Sequence, residues 1–210
     1  MTRPTVDELR IADAPESWEA VGFAIDRDLC RVGGVRIRLA GPDAGRGIVG
    51  WSVRDVATAD LDGLPTAISE EPPDAPDEHP NGCVRIDHIV IFTPDLERTI
   101  GSLGDAGIGV RRVRDAGTAE SPVRQGFFRL GEVILEADEH DGSRAKPDAP
   151  ATFWGLAFVV PDLDALAELL GDRIGSAREA VQPGWRIATL RRAAGLSVPV
   201  AFMTPEPARE

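Results

Sequence analysis

A histidine and a glutamate that face each other can share a proton, a water or a cation. Two strand-like segments of this 210-residue chain each carry one of them. The histidine lies in Asp87-His88-Ile89-Val90-Ile91 and the glutamate in Val133-Ile134-Leu135-Glu136. Side chains alternate along a strand. Ile86, His88 and Val90 are thus expected on one face, with Asp87, Ile89 and Ile91 on the other. Ile134, Glu136 and Asp138 likewise share a face opposite Val133, Leu135 and Ala137. His88 and Glu136 can then turn into one cup. A carboxylate in an apolar cup is costly unless paired. His88 is the partner at hand, because an imidazole can donate a hydrogen bond or co-ligate a cation.

The elements that must position this pair repeat along the chain. Ile86-Asp-His-Ile-Val-Ile-Phe-Thr-Pro-Asp-Leu-Glu97 aligns with Phe153-Trp-Gly-Leu-Ala-Phe-Val-Val-Pro-Asp-Leu-Asp164. In each, an apolar run of strand length meets a proline that ends it, and the following aspartate suits a helix N-cap. Helices are predicted from Leu96 to about Leu103 and from Leu163 to about Leu170. Three strand signals follow each helix: Val110–Arg114, Gln125–Leu130 and Val133–Asp138, then Arg178–Val181, Trp185–Arg191 and Val198–Met203. The predicted fold is α+β, with paired βαβββ modules at residues 84–140 and 152–205 that form a curved half-open barrel.

Residues 1–68 read as a degenerate N-terminal α+β module of the same type. Cys30-Arg-Val-Gly-Gly-Val-Arg-Ile-Arg-Leu39 can be laid on Phe128-Arg-Leu-Gly-Glu-Val-Ile-Leu-Glu-Ala137, and Gly47–Val56 resembles another opening strand. Ile11, Trp18, Val21, Phe23, Ile37 and Trp51 give this unit apolar surface to pack against the C-terminal pair. Residues 69–82 are acidic and proline-rich, without large apolar side chains. They read as a linker that buries too little to offset its ordering, with His79 solvated in it.

Composition narrows the function. The net charge of −12 argues against nucleic acid and anionic membranes as partners. Arg111, Arg112 and Arg114 form a local basic patch, read as a solvated strand face with anion binding as the alternative. No apolar run reaches membrane-spanning length, and the start of the chain lacks a signal-peptide pattern. A cytoplasmic protein, monomer or homodimer, is expected. Cys30 and Cys83 form no CxxC pair and read as buried thiols. There is no tyrosine to serve as an acid.

The His88 strand, the Pro-Asp-Leu helix start, the Gly-Phe-Phe-Arg-Leu-Gly turn at 126–131 and the Glu136 strand together carry a family resemblance. They resemble the first module of the glyoxalase/bleomycin resistance/dioxygenase (vicinal oxygen chelate) superfamily, over residues 84–205. The resemblance implies a cup that binds a small molecule with vicinal oxygens, and a divalent metal held by the first and last strands of each module. His88 and Glu136 would be the metal ligands here, one nitrogen and one carboxylate, as a hard-to-borderline cation prefers. They would also be the catalytic pair, with Glu136 as general base on a carbon acid. No nucleotide cofactor is implied.

The second module departs from this pattern. Counting from the repeat, the place of His88 falls on Gly155 and that of Glu136 on Ala201 or Phe202. Two ligands are fewer than the three usual at a catalytic zinc. Asp138 and His140 could join only if the strand end curls inward. Gly155 and Ala201 are expected to leave space on one side of the cup. Gln125, Arg129 and Trp185 are candidates to line the pocket, with Arg129 as a second possible partner of Glu136 and Trp154 expected in the core. Two functions follow, beside a third reading as a structural or regulatory subunit whose acidic linker serves an interaction. One is a glyoxalase-like enzyme with lyase/isomerase or dioxygenase chemistry. The other is a metal-free small-molecule-binding protein of the resistance or sequestering kind.

Overall fold

The structure is a computed structural model that describes residues 3–140, 146, 148–181 and 183–205. Each C-terminal helix begins as its sequence dictates. Asp95 caps α2 (Leu96–Asp105) by accepting from the Arg98 amide at 3.0 Å, and Asp162 caps α3 (Leu163–Leu170) by accepting from Asp164 and Ala165. Helix α2 buries Leu96, Thr99 and Leu103, and α3 buries Leu163, Leu166 and Leu170, at helical spacing. Each fully buried leucine contributes roughly 1.5–3 kcal/mol.

The strands of the two modules form one sheet. The first module supplies β6 (Arg85–Phe92), β7 (Val110–Thr118), β8 (Ser121–Leu130) and β9 (Val133–His140). The second supplies β10 (Thr152–Val159), β11 (Arg178–Glu179), β12 (Arg186–Thr189) and β13 (Val200–Met203). Their order is β11-β12-β13-β10-β6-β9-β8-β7. The antiparallel pair β6 and β10 lies at the centre, and each is flanked by the parallel last strand of its own module, β9 or β13. The sheet curls into a half-barrel, as the repeat predicted.

The N-terminal part repeats this central pattern in a shorter form. It comprises β1 (Thr5–Ile11), α1 (Pro15–Glu19), β2 (Leu29–Val32), β3 (Val35–Leu39), β4 (Ile48–Arg54) and β5 (Thr66–Ile68). Their sheet has the order β2-β3-β1-β4-β5. Again an antiparallel pair, β1 and β4, is flanked by parallel strands, β3 and β5. The two sheets share one apolar core. Trp18 lies edge-on to Phe158 at 6.1 Å, and Phe23 sits 5.1 Å from Phe158 and 6.2 Å from Phe202. The N-terminal unit is thus packed, as its apolar content required. No helix among the described residues is long and apolar enough to cross a membrane.

The proline-rich segment corrects one expectation. His79 is only 8% exposed, not solvated. Its Nδ1 accepts from the Ala24 amide at 3.1 Å, and its Nε2 lies 3.2 Å from the Arg31 carbonyl. The Asp77 amide donates to the Arg31 carbonyl at 2.9 Å and the Asp77 carboxylate accepts from the Arg31 amide at 3.0 Å, while Asn81 donates to the Gly22 and Val21 carbonyls. Polar anchoring to the N-terminal sheet orders a segment that apolar burial alone could not.

Candidate functional site

The curled sheet encloses a cavity of about 440 Å³. His88 and Glu136 both line it. Their strands are adjacent and parallel, with His88 opposite Ile134 and Val90 opposite Glu136. His88 and Glu136 are thus one strand and two residues apart on the same face. His88 Nε2 lies 3.9 Å from Glu136 Oε2. That is too long for a hydrogen bond.

A β-bulge adds a third residue. The register between β10 and β6 slips, so that Phe158 faces Ile86 and Ala157 faces His88. The extra residue is Asp87, which lines the cavity beside His88. Its Oδ2 lies 3.0 Å from His88 Nδ1, while its Oδ1 accepts from Arg85 at 3.2 Å. This corrects the alternation expected at the start of the strand. Ile86 belongs to the core face and Asp87 to the cup, because a bulge places two consecutive residues opposite one. The signal in the sequence was two adjacent polar residues, Asp87 and His88, entering an otherwise apolar strand.

Gln125 organises the other side. It is buried, and its amide nitrogen donates to Glu136 Oε1 at 2.5 Å and to Asp138 Oδ1 at 2.9 Å. Arg114 Nε donates to the Gln125 oxygen at 2.7 Å, and its guanidinium lies 5.1 Å from the centroid of the Phe127 ring. Burial pushes the Glu136 carboxyl above its ordinary range, opposed by His88 and reinforced by Asp138. Burial also raises Asp138, against the Gln125 hydrogen bond. For Asp87 burial acts upward too, but the His88 hydrogen bond and the charges of His88 and Arg85 together bring it below its ordinary value.

The remaining expected residues fall elsewhere. Arg129 is exposed, opposite Ile134, and is not among the residues lining the cavity. Gln125 and His88, not Arg129, are the neighbours of Glu136. Gly155 leaves no space, because a Cβ there would lie 2.9 Å from the Pro199 carbonyl oxygen. A second register slip, between Phe153 and Gly155, leaves Trp154 as the extra residue and places Gly155 opposite Val90. Trp154, at that slip, is 46% exposed and stacks on Phe92 at 5.2 Å, so it is not core. Ala201 pairs with Ala157 on the cup face but lies outside the lining, as does the half-buried Trp185. The second module instead contributes Arg178, Ala180, Val181, Ile187 and Met203. His140, at the end of β9, packs edge-on to Phe92 at 5.0 Å.

The donor set does not fit a resident divalent metal. His88 and Glu136 supply one nitrogen and one carboxylate. Asp87 is turned to the far ring nitrogen, and Asp138 is engaged by Gln125. Among the described residues no group of three or more histidine, cysteine, aspartate or glutamate side chains is placed to hold one. Catalytic zinc sites use three protein ligands.

No protein-family model and no curated protein matches the sequence. Solved structures do match. A mutant of 4-hydroxymandelate synthase from Streptomyces coelicolor is similar over 100% of this chain and 95% of that one, with a TM-score of 0.61 at 12% identity. Methylmalonyl-CoA epimerase from Mycobacterium tuberculosis is similar over 58% of this chain and 88% of that one, with a TM-score of 0.44 at 19% identity. A variant of the Streptomyces coelicolor epimerase in complex with 2-nitronate-propionyl-CoA is similar over 61% and 99%, with a TM-score of 0.47 at 22% identity. At these identities the likeness concerns the fold alone, and the match over the whole chain carries it.

Proposed function

We propose that this chain is a small-molecule enzyme of the isomerase or lyase kind, which moves a proton on a carbon acid without a resident metal. One observation carries the reading. The His88 ring stands between two carboxylates, 3.0 Å from Asp87 and 3.9 Å from Glu136, on the wall of a cavity large enough for a small organic ligand.

Each residue then has a defined task. Glu136 is the base. A carboxylate raised by burial is a stronger base than a solvated one, and it takes the proton from a carbon beside a carbonyl. The C–H electron pair moves into the carbonyl, leaving an enolate oxygen. When its ring carries both protons, His88 donates Nε2–H to that oxygen. Asp87 accepts from Nδ1, which fixes the ring and leaves Nε2 for the substrate. Gln125 holds the Glu136 carboxylate at Oε1 and leaves Oε2 on the His88 side. At 3.9 Å the base and the acid do not bond each other, and both can address a substrate that lies over them in the cavity.

The test is solvent exchange. A panel of 2-oxo acids, 2-hydroxy ketones and acyl thioesters with an α-hydrogen is incubated with the full chain in D2O and followed by proton NMR. At least one compound should lose its α-proton signal, with or without a chelator. Glu136→Gln should slow that loss about 100-fold or more, the usual reach of general base catalysis. If compounds bind but none exchanges, the cup is a sequestering site and the enzymatic reading fails.

A further inference from the structure

We infer that the ligand of this cavity is a small organic anion, whose carboxylate or phosphate group is held at the mouth by Arg112 and Arg178. This deepens the proton-transfer reading and rests on it for the position of the reacting carbon.

The arginines come from opposite edges of the sheet. Arg112 lies on β7 and Arg178 on β11, the last and first strands of the eight, yet both line the same cavity. Only the curl of the sheet brings them together. Arg112 reaches the cup face because the β7 register slips between Val110 and Arg112, placing Arg112 opposite Phe127. Arg114 follows two residues later, opposite Gln125. The chain carries a net charge of −12, so arginines gathered in one cavity run against its overall balance.

Among the described residues the side chains of Arg112 and Arg178 have no hydrogen-bond or ion-pair partner, whereas Arg36, Arg54, Arg98, Arg124 and Arg186 each pair with a carboxylate. Both are exposed and keep their donor forks available. A guanidinium binds a carboxylate or phosphate through two parallel hydrogen bonds. An oxyanion between them would also relieve the repulsion of two like charges.

The floor of the cavity sets the orientation. Asp87 and Glu136 repel an anionic group, so it stays at the arginines while the uncharged carbon acid descends to His88 and Glu136. The middle of the ligand meets Phe127, Ile187 and Met203 and is best apolar. Strands β7 and β9 are two spacings apart, about 10 Å, so charge and reacting carbon are separated by several bonds.

The experiment titrates the full chain with sodium malonate and, separately, sodium phosphate, against sodium chloride at matched ionic strength. Melting temperature and calorimetric heat are read. At least one oxyanion should give a saturable rise in melting temperature that chloride does not, and which one does so separates the carboxylate from the phosphate. Arg112→Gln with Arg178→Gln should weaken that affinity about tenfold or more, the scale of lost charge-assisted hydrogen bonds. Both positions are exposed, so the melting temperature in chloride should stay unchanged. Arg124→Gln, outside the cavity, should bind like the parent. The inference is overturned if neither oxyanion differs from chloride, or if the double variant binds as tightly as the parent. Glu136→Gln should retain oxyanion binding. Saturable binding with no α-proton exchange in any compound would remove the proton-transfer reading alone.

Discussion

His88 Nδ1 lies 3.0 Å from the Oδ2 of Asp87, the residue directly before it in the chain. In a regular strand these side chains would point to opposite faces. The bulge opposite Ala157 is what lets neighbours in sequence become partners in the cup.

That pairing should fix the imidazole tautomer. At neutral pH, long-range proton–nitrogen spectra are expected to show His88 protonated at Nδ1. Asp87→Asn should lose this preference and slow α-proton exchange roughly 100-fold or more, because the ring is no longer oriented. An unchanged nitrogen pattern would mean that Asp87 does not set the ring.

Glu136 gives a stability test with a definite sign. Its folded pKa is raised above the ordinary 4.5, mainly by burial. The folded chain therefore holds this proton more tightly than the unfolded chain. The associated stability is fully present below about 4.5 and is lost as pH rises through the folded value. Glu136→Gln removes that loss. Its melting temperature should exceed the parent's at pH 7–8 by a few degrees, with the advantage shrinking towards pH 4.5.

His79 acts in a different window. Burial lowers its pKa below the ordinary 6.5, opposed by the Arg31 carbonyl and Asp77. The neutral ring is the one the fold holds, so its contribution is present above 6.5 and is lost as pH falls towards the folded value. Urea midpoints of the parent should drop between pH 7 and 5.5. His79→Gln should start lower and show a shallower drop.

Packing between the two sheets should be costly to disturb. Phe158 is fully buried against Trp18, Phe23 and Phe202. Phe158→Ala should cost about 3–5 kcal/mol in chemical denaturation. A fragment of residues 82–210 should aggregate or melt far below the full chain, since it exposes this face. Equal solubility and stability would show that the N-terminal unit is dispensable.

Gly155 offers a local test. A Cβ there would approach the Pro199 carbonyl oxygen at 2.9 Å. Gly155→Ala should destabilise the chain by about 1–3 kcal/mol through overpacking. A neutral effect on the denaturation midpoint would mean that β13 yields easily and that the cup could widen there.

Much of this fold was legible because it is written locally and twice. The Pro-Asp-Leu junctions, the aspartate caps and period-2 runs such as Val133–Ala137 report local geometry, and their repetition announced two modules. The facing of His88 and Glu136 followed from the same alternation. The sequence alone could not reveal where that alternation breaks. The slips at Asp87, at Trp154 and between Val110 and Arg112 depend on how neighbouring strands twist and pair, which no single strand encodes. They turned Asp87 into the cup, Trp154 out of the core and Arg112 into the cavity wall. The fate of the proline-rich segment was likewise tertiary, because His79 and Asn81 are ordered by backbone groups more than 45 residues away. Gly155 looked like open space for a related reason. A missing side chain can be filled by another strand's backbone, and only the packed structure decides whether it is.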